Sequence, residues 1–299
     1  MGLWSGFRAT HNMTDAPLPL HKRHPRSFRE NKFVYPVLSR RSKGISIGVN
    51  LNPNKICNFD CIYCQVDRRS EAETKFVEMN RLMEEIDATV DFVNRGEIYK
   101  DPSFRDIPTS LRRLNDIAFS GDGEPTTYSN FDAIVDAVAN LRCKRRLNQT
   151  KLVLITNASM FHHPMVQHSL EILDGNHGEI WAKLETGTEM YYQLVARTKV
   201  PFQRILDNIA HAARIRPLVI QSLFMRINDE PPPDAEIDAF CDRLNEITGS
   251  GGRIKLVQVY TVARQPAESY VAPLTPNEVD SISDKVVEQT KLLSEVYYG

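Results

Sequence analysis

Three cysteines close together in the sequence are the residues best suited to chemistry in this chain. Cys57, Cys61 and Cys64 follow one another with the spacing C-x3-C-x2-C, and Tyr63 precedes the last of them. Three thiolates this close can hold three corners of a cubane 4Fe–4S cluster. The fourth iron then has no protein ligand, so one corner of the cluster is open to a small molecule.

A structural zinc site is the alternative interpretation of the same cysteines. Structural zinc takes four ligands, usually two pairs of cysteine or histidine. The other cysteines, Cys143 and Cys241, are distant in sequence, and the nearest histidine upstream of the motif is His24. Since a fourth ligand is missing nearby, the spacing favours a cluster. We expect Cys143 and Cys241 to be ordinary thiols.

A glycine-rich turn follows a predicted strand and is the second candidate for chemistry. It reads Gly121-Asp122-Gly123-Glu124-Pro125. Glycine allows the backbone to approach a ligand closely, and the residue before a proline is held extended. Such a turn can expose its backbone to a ligand. A plain tight turn between a strand and a helix is the alternative.

Two further strand ends carry polar residues. Asn157 follows a predicted strand and is interpreted as a binding residue, although a helix N-cap explains it almost as well. Side chains alternate along a strand, so Trp181, Lys183 and Glu185 share one face of another strand. We interpret Lys183 and Glu185 as binding residues. An ordinary buried ion pair is the alternative.

The elements that must position these residues alternate between strands and helices from residue 44 onward. Six strand–helix repeats predict an α/β fold with a parallel sheet, right-handed crossovers and helices outside. Rolled up, this sheet is a partial (β/α)6, TIM-like barrel, whose reactive surface is the C-terminal edge of the strands. The predicted strands are 44–51, 116–121, 151–156, 180–185, 218–225 and 254–260, and a helix over 277–296 closes the chain.

The cysteine motif and the glycine turn resemble those of the radical S-adenosylmethionine (radical SAM) superfamily. The run Lys-Leu-Glu-Thr-Gly-Thr, which starts at Lys183, is similar to Lys-Leu-Asp-Ala-Gly-Thr in one branch of that superfamily. That branch contains the iron–sulfur oxidoreductases akin to the tRNA wybutosine-synthesis enzymes (4-demethylwyosine synthases). Glu185 stands where the branch has aspartate, and Asp122 interrupts the family's Gly-Gly-Glu-Pro.

The resemblance implies an enzyme in which a reduced 4Fe–4S cluster on the three cysteines cleaves S-adenosylmethionine. The resulting 5′-deoxyadenosyl radical would abstract hydrogen from a substrate that the sequence does not name. An electron donor such as flavodoxin or ferredoxin is implied as a partner. Wybutosine-synthesis enzymes use a second cluster, which we do not expect here because no cysteine precedes Cys57. The resemblance assigns S-adenosylmethionine contacts to Tyr63, Gly123, Glu124, Asn157, Lys183, Glu185, Val259 and Tyr260.

Charge is distributed unevenly along the chain. Residues 1–43 hold nine Lys or Arg and two acidic residues, a net of +7, which leaves −8 for residues 44–299 because the whole chain carries −1. We interpret 1–43 as a basic N-terminal arm and 44–299 as the barrel with its C-terminal helix. Such an arm could bind RNA, with tRNA the leading candidate, or be only a solvated leader.

Composition excludes some classes of protein. The chain is 41% hydrophobic and 25% charged, and no apolar run approaches the ~20 residues of a membrane span. The first residues have no apolar signal core, so we expect a cytoplasmic protein. The alternative function is a non-catalytic zinc- or cluster-binding protein that binds nucleic acid through the basic arm.

Overall fold

Eight strands form one curled sheet in the computed structural model, which describes residues 28–67, 70–72 and 74–299. The sheet order is β1-β2-β3-β4-β5-β6-β8-β10, and every neighbouring pair is parallel except β1 with β2. A separate antiparallel pair joins β7 to β9. The strands are β1 (Val34–Ser39), β2 (Gly44–Val49), β3 (Leu114–Phe119), β4 (Lys151–Thr156), β5 (Gly178–Lys183), β6 (Leu218–Leu223), β7 (Arg226–Ile227), β8 (Ile254–Tyr260), β9 (Val271–Ala272) and β10 (Ser294–Tyr297).

Helices connect the parallel strands and cover the outer face of the sheet. A large apolar core forms there, because alternate strand residues such as Ile117, Leu154, Ile180 and Val257 point towards the helices. The architecture is the predicted partial (β/α)6, TIM-like barrel. The helices are α1 (Met79–Asn94), α2 (Phe131–Lys144), α3 (Pro164–Gly175), α4 (Glu189–Ala196), α5 (Phe202–Ile215), α6 (Asp234–Gly249) and α7 (Pro276–Thr290).

The opposite strand face lines the inside of the barrel. A small cluster of Ala118, Val153, Trp181 and Val219 packs there. Beyond it, towards the C-terminal edge of the strands, a cavity of about 360 Å³ opens. The alternation predicted for the fourth strand is confirmed, since Ile180 and Ala182 pack outside while Trp181 and Lys183 line the cavity.

Part of the predicted basic arm belongs to the sheet. Strand β1 pairs antiparallel with β2 from Val34–Val49 to Ser39–Gly44, and the hairpin turn between them holds Arg40 to Lys43. Phe28 packs on Phe92 and Phe104, with ring centres 5.9 and 6.1 Å away. Four of the nine basic residues of the arm, Arg8, Lys22, Arg23 and Arg26, lie outside the described residues.

The prediction of a helix to residue 296 is wrong at its end. Helix α7 begins with a capping box between Thr275 and Glu278 and stops at Thr290, because Lys291 adopts a left-handed conformation with φ 61°. Residues Ser294–Tyr297 instead form β10, which pairs in parallel with β8. Valine and tyrosine favour strands, and the open edge of β8 supplies a partner that the local sequence does not show.

Candidate functional site

The cysteine loop, residues 52–66, follows β2 at the C-terminal edge of the sheet. Its middle is fixed by α4, since Asp60 N–H donates to Ala196 O at 3.1 Å and Ile62 N–H donates to Val195 O at 3.0 Å. A turn with Cys64 N–H on Cys61 O at 3.0 Å brings the last two cysteines together. All three cysteines are half-buried and line the cavity. The sequence analysis did not predict α4, the helix that holds this loop.

The glycine turn after β3 lies against the chain that leads into the cysteine loop. A Cβ on Gly121 would stand 2.2 Å from Asn50 Oδ1, and one on Gly123 would stand 2.2 Å from Ile56 O. Real Cβ atoms do not approach other atoms so closely, so both positions require glycine. Asn50 also bonds the turn, donating Nδ2 to Asp122 at 2.7 Å and accepting from Asp122 N–H at 3.1 Å.

Glu124 joins the glycine turn to the end of β4. Its buried carboxylate accepts hydrogen bonds from Thr126 Oγ1 at 2.5 Å, Thr156 Oγ1 at 2.6 Å and Asn157 N–H at 2.7 Å. Burial raises the pKa of Glu124, while these donors act in the opposite direction. From the sequence, Glu124 was predicted to contact a ligand. Its hydrogen bonds between the glycine turn and the end of β4 were not predicted. The ligand contact of Glu124 stays a prediction.

Asn157 is also tied to the cysteine loop. Its Nδ2 donates to Asn58 Oδ1 at 2.9 Å, and Asn58 Nδ2 donates to Ser159 Oγ at 2.7 Å. Asn157 Oδ1 meanwhile accepts from Ser159 N–H at 3.0 Å, which is a local turn rather than a helix cap. The end of β4 therefore fixes the loop between Cys57 and Cys61.

Tyr63, Lys183 and Glu185, predicted on separate grounds, form one buried cluster. The Tyr63 hydroxyl donates to the Glu185 carboxylate and accepts from Lys183 Nζ at 2.7 Å. Lys183 Nζ lies 3.0 Å from Glu185 Oε1. Burial alone would lower the pKa of Lys183, but Glu185 raises it above its usual value. Lys183 therefore keeps its proton inside the cavity wall, where the Lys183–Glu185 ion pair can orient a polar ligand.

Burial also affects the tyrosine and cysteine beside this pair. It raises the pKa of Tyr63 well above its usual range, so the phenol is protonated and serves as a donor. Burial, followed by the nearby Glu185 charge, raises the pKa of the Cys61 thiol to about 12 in the absence of metal. An iron held by Cys61 would therefore have to displace a proton from this thiol.

The last predicted segment is divided between the two faces of β8. Tyr260 lines the cavity, whereas the Val259 side chain is buried in the outer core. Val259 can therefore reach a ligand only through its backbone, and its contact with S-adenosylmethionine stays a prediction. Arg41 of the hairpin turn lies over the Tyr260 ring, with Cζ 4.2 Å from the ring centre. Sequence reasoning missed Arg41, because only the closing of the barrel brings β1 and β8 together.

The donor set fits the cluster that the sequence predicts. Three half-buried thiols of one loop face a cavity that also holds the glycine turn and the Lys183–Glu185 ion pair. Across 28–67, 70–72 and 74–299, no group of three His, Cys, Asp or Glu residues is arranged to hold a single metal ion. Each cysteine of a cubane binds a different iron, so a cluster does not need such a group.

The sequence model of the Radical SAM superfamily matches residues 51–237, more than half of the chain. With the barrel and the cysteine loop described above, this match identifies the class: the chain belongs to the radical SAM superfamily. It is accordingly an enzyme whose cofactors are a 4Fe–4S cluster and S-adenosylmethionine. This membership argues against the alternative of a non-catalytic zinc protein.

Curated relatives share parts of this sequence. A protein named GTPase Obg from Brachyspira hyodysenteriae is 22% identical over 306 residues, which cover 96% of this chain and 40% of that protein. A UPF0026 protein from Helicobacter pylori is 30% identical over 140 residues, 46% of this chain and 39% of that protein. The alignments thus span about two fifths of the length of these relatives.

Solved structures share the fold. A radical SAM methyltransferase from Sphaerobacter thermophilus superposes with a TM-score of 0.61 at 12% identity, covering 88% of this chain and 68% of that one. A spore photoproduct lyase mutant gives 0.55 at 10% identity, with 91% and 81% covered. TYW1 with a lysine–pyruvate adduct gives 0.48 at 14% identity, with 83% and 74% covered.

None of the helices in the part of the chain described here has the length and apolarity to cross a membrane.

Proposed function

We propose that Cys57, Cys61 and Cys64 each ligate one iron of a single 4Fe–4S cluster, whose fourth iron binds S-adenosylmethionine. One observation carries this proposal: the three thiols line the same cavity as the glycine turn and the Lys183–Glu185 pair. When bound and reduced, the cluster supplies the electron that cleaves S-adenosylmethionine to methionine and a 5′-deoxyadenosyl radical. This radical abstracts hydrogen from the substrate.

The protein's own groups hold the sulfonium cofactor in place. Gly123 lets the glycine turn pack directly against Ile56 O of the cysteine loop, and Glu124 fixes that turn against Asn157. Lys183 and Glu185 offer one charge of each sign to the zwitterionic methionine end or to the ribose hydroxyls. Tyr63 and Tyr260 present apolar ring surface to the adenine.

Reductive cleavage by the reconstituted protein tests the proposal. Anaerobic wild-type protein with dithionite should release 5′-deoxyadenosine, measured by chromatography, and should contain about four iron and four sulfide per chain. Cys61→Ala should lose both properties. Cys143→Ala, which changes an exposed thiol outside the cavity, should keep them. Equal release by Cys61→Ala and wild type would refute the ligand assignment.

We further propose that an electron donor such as flavodoxin or ferredoxin reduces the cluster. We also propose that the basic arm binds RNA, with tRNA the leading candidate. The net charge of +7 in residues 1–43 supports the RNA proposal. We also propose that the enzyme catalyses an oxidoreductase reaction and that it acts in the cytoplasm. Steady-state reduction of the cluster by flavodoxin or ferredoxin, with a buffer blank, tests the electron donor.

A further inference from the structure

The cavity contains an arginine whose side chain has no polar partner. Arg41 Nε is buried without a hydrogen-bond partner, and no ion pair joins Arg41 to any residue whose position is described. The guanidinium nevertheless lines the cavity that holds the three cysteines. Arg41 as a residue is only half-buried, but leaving its buried Nε donor without an acceptor is costly. The geometry therefore suits an acceptor that a bound molecule would supply.

Another arginine in the same fold shows what a purely structural role looks like. Arg112 also lies over a tyrosine, with Cζ 5.0 Å from the Tyr99 ring centre. Its Nε donates to Ile107 O at 2.8 Å and its Nη2 to Arg105 O at 2.7 Å. Arg41 makes the same kind of ring contact but has no such backbone acceptors. A role limited to packing on Tyr260 therefore does not explain why the N–H donors of Arg41 are left unbonded.

A second guanidinium stands beside Arg41. Arg40 donates to Tyr298 O and lines the same cavity. Burial, followed by repulsion from Arg41, lowers the pKa of Arg40 to about 10, so it still carries its charge at neutral pH. Two neighbouring guanidinium groups repel each other, and an anion between them would remove that repulsion.

The carboxylates that line the cavity are already bonded to other groups. Glu124 bonds Thr126, Thr156 and Asn157, and Glu185 pairs with Lys183 and Tyr63. Asp122 accepts from Asn50 at 2.7 Å, and Asp116 accepts from Ser42 and Ser46. Among the described residues, none of these four carboxylates forms an ion pair with Arg40 or Arg41.

We infer that Arg41, assisted by Arg40, binds an oxyanion of the substrate, either a phosphate or a carboxylate, at this side of the cavity. A guanidinium fork matches such groups with two parallel hydrogen bonds. The inference rests on the proposed function, because it places the rest of the substrate towards the cysteine loop. The substrate would then be a small anionic molecule or a larger molecule that carries an anionic group.

Calorimetric titration of full-length, anaerobically reconstituted protein tests the inference. Inorganic phosphate and acetate serve as separate probes, so a phosphate site and a carboxylate site are distinguished by which probe binds. Arg41→Gln should weaken binding about tenfold, the loss of one charge-assisted contact. Arg41→Lys keeps the charge but not the fork and should give an intermediate affinity.

Lys43→Asn is the matched control, since it removes one charge from the same hairpin turn. Asparagine tolerates the left-handed conformation of Lys43, φ 57°. The control should bind as wild type does. The inference is overturned if neither probe binds, if Lys43→Asn weakens binding as much as Arg41→Gln, or if S-adenosylmethionine displaces the anion. Absence of 5′-deoxyadenosine from wild type would refute only the proposed function, because anion binding is measured without turnover.

Discussion

At the residue scale, the glycine turn shows why a motif predicts a site better than it predicts contacts. The sequence correctly indicated that Gly123 permits a close approach, but the group that approaches is the cysteine loop itself, through Ile56 O. Glu124 has likewise bonded most of its acceptor positions to Thr126, Thr156 and Asn157. Such long-range partners follow from strand order, which no local pattern of residues contains.

Replacing Gly123 with alanine should therefore disturb the cluster more than the fold. The new Cβ would force the backbone at Ile56 away, at a cost of about 1–3 kcal/mol, and displace the adjoining Cys57. Reconstituted Gly123→Ala should lose most of its iron, measured per chain, with circular dichroism close to wild type. Gly175→Ala, where nothing lies within 4 Å of the added Cβ, should keep its iron. Full iron in Gly123→Ala would contradict the close contact.

At the element scale, strands and helices with strong local patterns were predictable. Strands β4 and β8 have the predicted bounds, and the others shift by a few residues. Strand β10 was missed because it forms by pairing with the distant edge at β8, whereas β1 was missed although it forms a local hairpin with β2. Helix α4 was missed because its eight residues are too few for a clear periodicity.

The hairpin turn and β3 are joined by a buried carboxylate whose titration can be measured. Asp116 accepts from Ser42 and Ser46, and burial raises its pKa from 3.8 to about 6. Between these pH values the folded state holds more protons than the unfolded state, so stability should fall as pH rises through that window. A shift of about two units corresponds to about 3 kcal/mol.

Denaturant unfolding at several pH values checks this expectation. In wild type, ionisation of Asp116 should lower the free energy of unfolding by about 3 kcal/mol between pH 4 and 7. Asp116→Asn cannot ionise at this position, so the variant should lack that decrease. Asp106→Asn, at a site with an exposed side chain, should follow the wild-type profile. If Asp116→Asn and wild type change in parallel, the carboxylate does not titrate in this window.

At the scale of the whole molecule, the net charge changes sharply between residues 1–43 and 44–299, whereas the fold has no boundary at residue 43. The net charge of residues 1–43 is +7, and residues 28–43 of this segment contact the barrel. Arg29 lies over Phe92, with Cζ 4.1 Å from the ring centre, and β1 is a strand of the sheet. A deletion that tests RNA binding should therefore stop at residue 27.

Removing residues 1–27 should weaken RNA binding and leave the cluster in place. The deletion takes away Arg8, Lys22, Arg23 and Arg26, and each lost phosphate contact reduces the salt dependence of binding. Titration of tRNA at several salt concentrations should give a shallower slope than for the full chain, with unchanged iron content. An unchanged slope, or no tRNA binding by the full chain at ~50 mM salt, would rule out this role for the arm.

The most direct test of the central claim is whether S-adenosylmethionine binds the open iron of the cluster. Electron paramagnetic resonance of the reduced, anaerobically reconstituted protein reports the surroundings of that iron. We expect a single 4Fe–4S signal that shifts when S-adenosylmethionine is added and that is absent from Cys61→Ala. A signal that stays the same at saturating S-adenosylmethionine would refute binding at the open iron.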